Sequence, residues 1–474
     1  MKPVGLRPNC FAAERVVLQM QKLTVGELIE ATGGTLLCGD IAQPVCSITT
    51  DSRKATPGAL FIPLRGENFD GHDYIGAAFE KGAALSLSAR PMEPVIGKTI
   101  ISVEDTSKAL ADIARFYLKK YRVPVVGITG SVGKTTTKDM IYSVLNQQYN
   151  VLKTQGNFNN EIGLPLTVFR LEREQNMAVL EMGMSAFGEI HHLVDIARPD
   201  VAVITNIGMS HIENLGSQEG IFQAKMEICD YFTKDHTLIV NGDDKFLWTV
   251  RGHEAFEVVT FGIENKDCDV VAEAVENLGI DGSRFRVELD GSRYEVCIPT
   301  PGVHNIYNAL AAICVGRRYG VPMEQIIRGI AQFRLTEMRL SVEQAHGITI
   351  INDCYNASPD SIRAALKVLG SVEAARKVAV LGDMLELGEF AKNAHYELGG
   401  EVEKNGTDVL LTAGKNAEHL AIGARDAGLE AVYSYKTTEE LAEQIKRYVK
   451  AGDVVLVKAS RGMHFEKICE QIRK

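Results

Sequence analysis

Short apolar runs alternate with helical stripes along most of this chain. Val125, Val126 and Ile128, Ala178 to Glu181, and Val201 to Thr205 are brief and rich in β-branched or aliphatic residues, as buried parallel strands are. The first run is followed by Met140, Ile141, Val144 and Leu145 at helical spacing. The same pattern predicts strands at Ala59 to Leu64, Thr99 to Val103, Thr237 to Val240 and Val258 to Phe261. It predicts others at Thr349 to Ile351, Val378 to Leu381, Val409 to Thr412 and Val454 to Val457. Helices are expected from a Thr24 cap through Ile29, over Tyr74 to Lys81 and Lys108 to Tyr121, and from Ser361, Asn393, Ala417 and Thr438. Such alternation predicts an α/β protein with mostly parallel sheets. Asp269 to Ile298 departs from it, alternating apolar and polar residues around Asp281-Gly282 and Asp290-Gly291, which reads as an antiparallel meander.

At 474 residues the chain is too long for one core. Breaks near Pro124 and after Phe333 predict three domains: a small N-terminal α/β domain (1–122), a central phosphate-loop domain with a mostly parallel sheet (123–334), and a C-terminal Rossmann-like doubly wound domain (335–474). No G-x-G-x-x-G follows a strand of the last domain, so no nicotinamide or flavin is expected. A net charge of -10 argues against a nucleic-acid surface. Nine cysteines without a CxxC pair argue against a disulfide framework and for a reducing, cytoplasmic setting. The apolar patch Phe11 to Ala13, after Lys2 and Arg7, stops at Glu14 and Arg15 before a leader forms, and no run is long enough for membrane insertion.

The chemistry centres on Pro124 to Asp139, PVVGITGSVGKTTTKD. Strand, glycine turn and helix follow one another, so Gly130, Ser131 and Gly133 can curl backbone N–H groups around an anion at a helix N-terminus. Lys134 adds a charge there, and Thr135, followed by Thr136, can hold magnesium. Ile128 stands where the usual loop has its first glycine, and the bland alternative is a tight βαβ turn with a chance lysine. Nucleotide triphosphate use is the expectation.

Glu181 closes a strand beside this loop, where a second acidic group would ligate magnesium. Asn206 and His211 share the loop after the next strand, which makes His211 a second candidate ligand, although a lone histidine is more often structural. Lys225 reads as a solvated helix lysine. Asn305 and Asn308 open a helix and could read an adenine edge, with helix capping by Asn305 an equal alternative. Thr50-Asp51-Ser52-Arg53 could hold a diphosphate or a sugar, or be a solvated turn. Arg339, then Asp353, Tyr355 and Asn356, then Lys458, Ser460 and Arg461 gather cations and hydrogen-bonding groups at strand ends of the third domain.

TDSR at Thr50 to Arg53, TGSVGKTTTKD at Thr129 to Asp139, LEMG at Leu180 to Gly183 and NIGMSHIENLGSQEGIFQAKMEI at Asn206 to Ile228 occur in one chain with HNIYNALAA at His304 to Ala312, EMRL at Glu337 to Leu340 and NDCYNASPDSI at Asn352 to Ile362. In these blocks and their order the chain resembles the Mur ligases over nearly its whole length. The resemblance implies ATP-dependent addition of D-alanyl-D-alanine to UDP-N-acetylmuramoyl-tripeptide; separately, a monomer is expected. It implies that Lys134 and Thr135 hold phosphates and magnesium, that two metal ions are bound through Thr135, Glu181, His211 and a carbamate on Lys225, and that Asn305 and Asn308 touch adenine. Arg339 and Asp353 would bring the third domain onto the nucleotide, Ser52 and Arg53 would bind the UDP moiety, and Tyr355, Asn356, Lys458, Ser460 and Arg461 would face substrate. Ala459 departs from the glycine usual in the family. Ligases adding an earlier residue, or glutamate to folate, are the nearest rivals; a phosphate-loop switch protein is a rival of another class.

Overall fold

The computed structural model describes residues 20–474; the segment from Lys2 to Arg15, read above as lacking a leader, lies outside them. Packing divides the chain into two units. One runs to Ile113 and takes in Val168–Glu174, and the other comprises Ala114–Thr167 and Gln175–Lys474.

In the first unit, Thr24 caps the helix Val25–Thr32 as expected. Its hydroxyl accepts from the Glu27 N–H, and the Glu27 carboxylate accepts from the Thr24 N–H. The sheet runs Thr35–Cys38, Thr99–Ser102, Leu85–Ser88, Ala59–Phe61, Ser47–Thr49, all parallel except the first strand. Beyond the edge strand Ser47–Thr49, Asp51 caps a turn of 3₁₀ helix, Ser52–Lys54.

The second unit holds two large sheets. The central one has seven parallel strands in the order Val270–Val271, Glu257–Gly262, Thr237–Asn241, Val201–Ile204, Val125–Thr129, Met177–Glu181, Val151–Lys153. The loop strand Val125–Thr129 thus lies between the strands ending at Ile204 and Glu181, and their carboxyl ends share one edge, where open parallel sheets bind ligands. The helices Lys134–Leu145, His304–Arg318 and Met323–Gln332 pack together on the buried face through Val144, Leu310, Ile326 and their neighbours. The antiparallel meander forms from Glu273–Asn277, Ser283–Leu289 and Ser292–Ile298, with Asp290 and Gly291 both left-handed (φ 51° and 74°) in the last turn. It begins later than the sequence pattern suggested, because Val270–Val271 instead extends the parallel sheet.

The C-terminal sheet has six strands in the order Ser341–Ala345, Ile348–Asn352, Asp453–Lys458, Arg376–Gly382, Val409–Ala413, Val432–Tyr435, parallel except for the first. The inner four are the predicted ones. The two edge strands carry too many polar residues to stand out as strands in the sequence.

Candidate active site

The phosphate loop is fastened to the end of its neighbouring strand. Ser131 N donates to Asn206 O at 3.1 Å, Val132 N donates to Asn206 Oδ1 at 3.0 Å, and Thr205 Oγ1 and Asn206 Nδ2 both donate to Val132 O. Gly130 and Gly133 take the positive φ values (145° and 89°) that close the loop, and a methyl on Gly130 would overlap Thr205 Oγ1. The helix that follows has no side-chain cap. The N–H groups of Lys134, Thr135 and Thr136, with no intrahelical acceptor, therefore face a cavity of about 850 Å³. Asn206 takes the Ser131 and Val132 N–H groups, so this anion cradle rests on the helix start.

Lys134 folds back on its own loop, donating to Gly130 O at 2.6 Å. Burial lowers its pKa, Glu181 opposes that shift, and Arg339 adds to it. Thr135 Oγ1 donates to Glu181 Oε2 at 2.9 Å, and Asn159 Nδ2 donates to Glu181 Oε1 at 2.9 Å. Lys138 Nζ lies 3.9 Å from Glu181 Oε2, so this carboxylate, only 3 % exposed, is charge-balanced and hydrogen-bonded as a buried anion must be. Asn159, Lys138 and Thr154, whose Oγ1 accepts from Glu181 N at 3.0 Å, have no role assigned from the sequence. The one available signal was the asparagine cluster Asn157, Asn159, Asn160, all three of which line the cavity.

His211 also lines the cavity. It has a left-handed backbone (φ 64°), and Nδ1 approaches Glu386 Oε2 at 2.7 Å, close enough for an ion pair but off the line of a good hydrogen bond. The contact holds the Glu386 carboxyl below its usual pKa. Lys225 corrects the sequence reading. Instead of being solvated it is 1 % exposed, because the helix Gln218–Met226 turns Ile221, Ala224 and Lys225 inward. Its amine has no hydrogen-bond or ion-pair partner among the described residues, and burial, then the Lys134 charge, lowers its pKa well below the ordinary value.

The two helix amides are tied to protein. Asn305 Nδ2 donates to Pro301 O at 2.8 Å, Asn308 Nδ2 donates to Asn305 Oδ1 at 2.9 Å, and Thr137 Oγ1 donates to Asn308 Oδ1 at 2.8 Å. The helix cap is Val303, so capping by Asn305 is ruled out. Both residues still line the cavity, each with one amide hydrogen uncommitted.

From the C-terminal sheet, the Arg339 guanidinium lies over the Tyr355 ring at 4.0 Å, and its buried Nε has no hydrogen-bond partner. Lys458 Nζ donates to Asp353 Oδ2 at 2.6 Å and to Asn356 O at 2.9 Å, so this lysine and aspartate first satisfy one another. Ser460 Oγ donates to Ala357 O and accepts from Leu385 N. Tyr355, Asn356 and Arg461 line a smaller adjoining cavity with Ser460, His211 and Glu386. The Ala459 methyl is fully buried, and Gly382 opposite makes its room, since a Cβ there would stand 2.7 Å from the Ala459 Cβ. Asp360 Oδ2 accepts from Met209 N at 3.3 Å, which bonds the C-terminal helix Pro359–Ser371 to the loop carrying His211. Ser52 and Arg53 belong to the other unit. There Arg53 is largely exposed and forms a bidentate pair with Asp51 at 2.9 and 3.0 Å.

Among the described residues, Thr135 and Glu181 offer a hydroxyl and a carboxylate oxygen of the kind a divalent metal takes, and His211 an imidazole whose Nε2 has no protein partner, but no three His, Cys, Asp or Glu side chains gather at ligating distance.

Three family descriptions match the chain: Mur ligase family, catalytic domain, over residues 44–118; Mur ligase middle domain over 128–316; and Mur ligase, glutamate ligase domain, over 338–461. The chain is 42 % identical over 458 residues to the UDP-N-acetylmuramoyl-tripeptide--D-alanyl-D-alanine ligase of Bacillus subtilis, covering 96 % of this chain and 99 % of that one. Its fold superposes on a crystal structure of MurF from Acinetobacter baumannii with a TM-score of 0.88 at 30 % identity, covering 96 % of this chain and 99 % of the other. The MurF ligase of Thermotoga maritima, solved in complex with ADP, gives a TM-score of 0.80 at 32 % identity, covering 90 % and 97 % of the two chains. With a phosphate loop, a strand-end carboxylate and a C-terminal sheet opening on one cavity, and with likeness of this extent, the chain belongs to the Mur ligase family.

Proposed function

We propose that the protein is an ATP-dependent ligase that joins D-alanyl-D-alanine to the terminal carboxylate of UDP-N-acetylmuramoyl-tripeptide, a step of peptidoglycan precursor synthesis. The observation that carries this reading is the single cavity shared by the uncapped helix at Lys134 and the polar turn Asp353 to Ser358, in a chain matching ligases of this name at full length. The reaction's need for ATP sets it in the cytoplasm. Because both sides of the cavity come from one chain, a monomer suffices.

The nucleotide's phosphates lie against the N–H groups of Lys134, Thr135 and Thr136, with the Lys134 ammonium released from Gly130 O to meet them. Asn305 and Asn308 offer their remaining amide hydrogens to the base. Thr135, Glu181, His211 and a carbamate on Lys225 would hold two magnesium ions, which would supply charge neutralisation at the transferring phosphoryl group. Lys225 suits carbamylation because burial lowers its pKa and so favours the neutral amine, the form that adds to carbon dioxide with loss of a proton. The tripeptide carboxylate oxygen attacks the γ-phosphorus and ADP leaves, giving an acyl phosphate; the dipeptide amine attacks its carbonyl carbon, and phosphate departs with that oxygen. Arg339, beside Lys134, and the Tyr355 ring shield the acyl phosphate from water. In the first unit, Ser52 and Arg53 bind the UDP moiety, and Tyr355, Asn356, Lys458, Ser460 and Arg461 form the acceptor side.

The test is phosphate release from ATP and magnesium with the tripeptide substrate, offering D-alanyl-D-alanine, single amino acids, or no amine. Release requiring tripeptide and dipeptide together supports the reading. Release with a single amino acid on a shorter muramoyl substrate moves the protein to an earlier step, and nucleotide binding without turnover refutes a ligase.

A further inference from the structure

We propose that Glu386 is a positioning residue for His211. It reaches from the C-terminal sheet to the imidazole on the central sheet, so that the histidine is set for a metal only while the C-terminal domain is docked. The inference rests on reading His211 as a metal ligand.

The Glu386 loop is built to present this side chain. It follows the strand Arg376–Gly382, and consecutive amides within it are held by side chains: Met384 N donates to His395 Nε2 at 3.0 Å, and Leu385 N donates to Ser460 Oγ at 2.9 Å. His395 is fully buried with Nδ1 at 2.7 Å from Ala391 O, which makes Nδ1 the protonated nitrogen and leaves Nε2 as the acceptor for Met384. Asp383 anchors the other side of the loop by accepting from Asn416 N and Ala417 N. Glu386 itself is left-handed (φ 63°), as is His211 opposite (φ 64°), so each side holds a non-glycine residue in a costly conformation. The turn Gly388–Phe390 packs on the turn Ile212–Leu215, which brings the two segments together.

A carboxylate at Nδ1 of a metal-binding histidine orients the ring and leaves Nε2 to the metal. Nδ1 stands 2.7 Å from Glu386 Oε2, in ion-pair contact though off the hydrogen-bond line, while Nε2 has no partner among the described residues. Since Glu386 and His211 belong to different sheets, loss of docking removes the carboxylate from the imidazole.

Manganese binding to the full-length protein with a non-hydrolysable ATP analogue, followed by the electron paramagnetic resonance of free Mn²⁺, tests this. Glu386 is 60 % exposed, so Glu386→Ala is expected to fold normally, with an unchanged melting temperature and unchanged metal-free affinity for the analogue. It should weaken Mn²⁺ binding about 10-fold or more. His211→Ala should weaken binding at least as much, and the double variant should lose nothing further, because Glu386 acts only through His211. Unchanged Mn²⁺ affinity in Glu386→Ala beside a weakened His211→Ala would overturn this proposal and leave the metal reading standing. Unchanged affinity in both would sink the two together, and additive losses would show that Glu386 acts elsewhere.

Discussion

Thr135 Oγ1 donates to Glu181 Oε2 across 2.9 Å, joining the first turn of the phosphate-loop helix to the end of the adjacent parallel strand. The two residues are 46 positions apart, and they meet because the strands Val125–Thr129 and Met177–Glu181 pair in register, Glu181 opposite Ile128. Both are buried, so their polar atoms depend on one another and on Asn159. The contact sets a hydroxyl and a carboxylate side by side beneath the anion cradle.

Lys134→Ala is expected to lower ATP turnover at least about 100-fold, the loss typical when a charge-stabilising donor is removed. Among the described residues its side chain makes one hydrogen bond, to Gly130 O, so the melting temperature should stay within a few degrees. Steady-state phosphate release and a thermal melt on the same preparation check both halves, and near-normal turnover would contradict the loop assignment.

Lys225→Ala is expected to abolish ligation and to regain part of it when a short carboxylic acid is added, since the acid replaces the carbamate oxygens. A buried amine with no partner among the described residues is the basis for this expectation. Full activity without added acid would exclude the carbamate.

Lys458→Met leaves the Asp353 carboxylate buried without its cation. Removing one partner of a buried pair destabilises by about 3–5 kcal/mol, and Lys458 is 2 % exposed with its ammonium 2.6 Å from Asp353. Urea unfolding measures the loss. A variant of normal stability with a raised KM for substrate would show instead that Lys458 serves the ligand alone.

His304 ties stability to pH. Burial, then the neighbouring Lys458 charge, pushes its pKa down from 6.5 to about 4. Between those values the unfolded chain takes up a proton that the folded chain refuses, so this group makes stability fall as pH drops from about 6.5 towards 4. His304→Gln should flatten that part of the curve in urea midpoints taken at several pH values. Parallel curves for the two proteins would count against it.

Much of the fold was legible in the sequence because buried parallel strands are continuous apolar runs and their helices show one stripe, as at Val125 to Leu145. The edge strands Ser341–Ala345 and Val432–Tyr435 were not, since half-exposed strands mix in polar residues. Glu181 was readable from its place at a strand end. Asn159 was not, because only the folded chain brings residue 159 beside residue 181. Lys225 was misread for a related reason: a lysine on a helix is solvated by default, and nothing local reports that this face turns inward. The Asp353–Lys458 pair likewise exists only because the strands Ile348–Asn352 and Asp453–Lys458 lie side by side.

The most direct test of the central claim uses tripeptide substrate labelled with ¹⁸O in its terminal carboxylate, turned over with ATP, magnesium and D-alanyl-D-alanine, with the released phosphate weighed by mass spectrometry. Attack of the carboxylate on the γ-phosphorus followed by amine attack predicts one ¹⁸O in each phosphate. Phosphate free of label would mean that water took the phosphoryl group, and the protein would be a nucleotide hydrolase instead of a ligase.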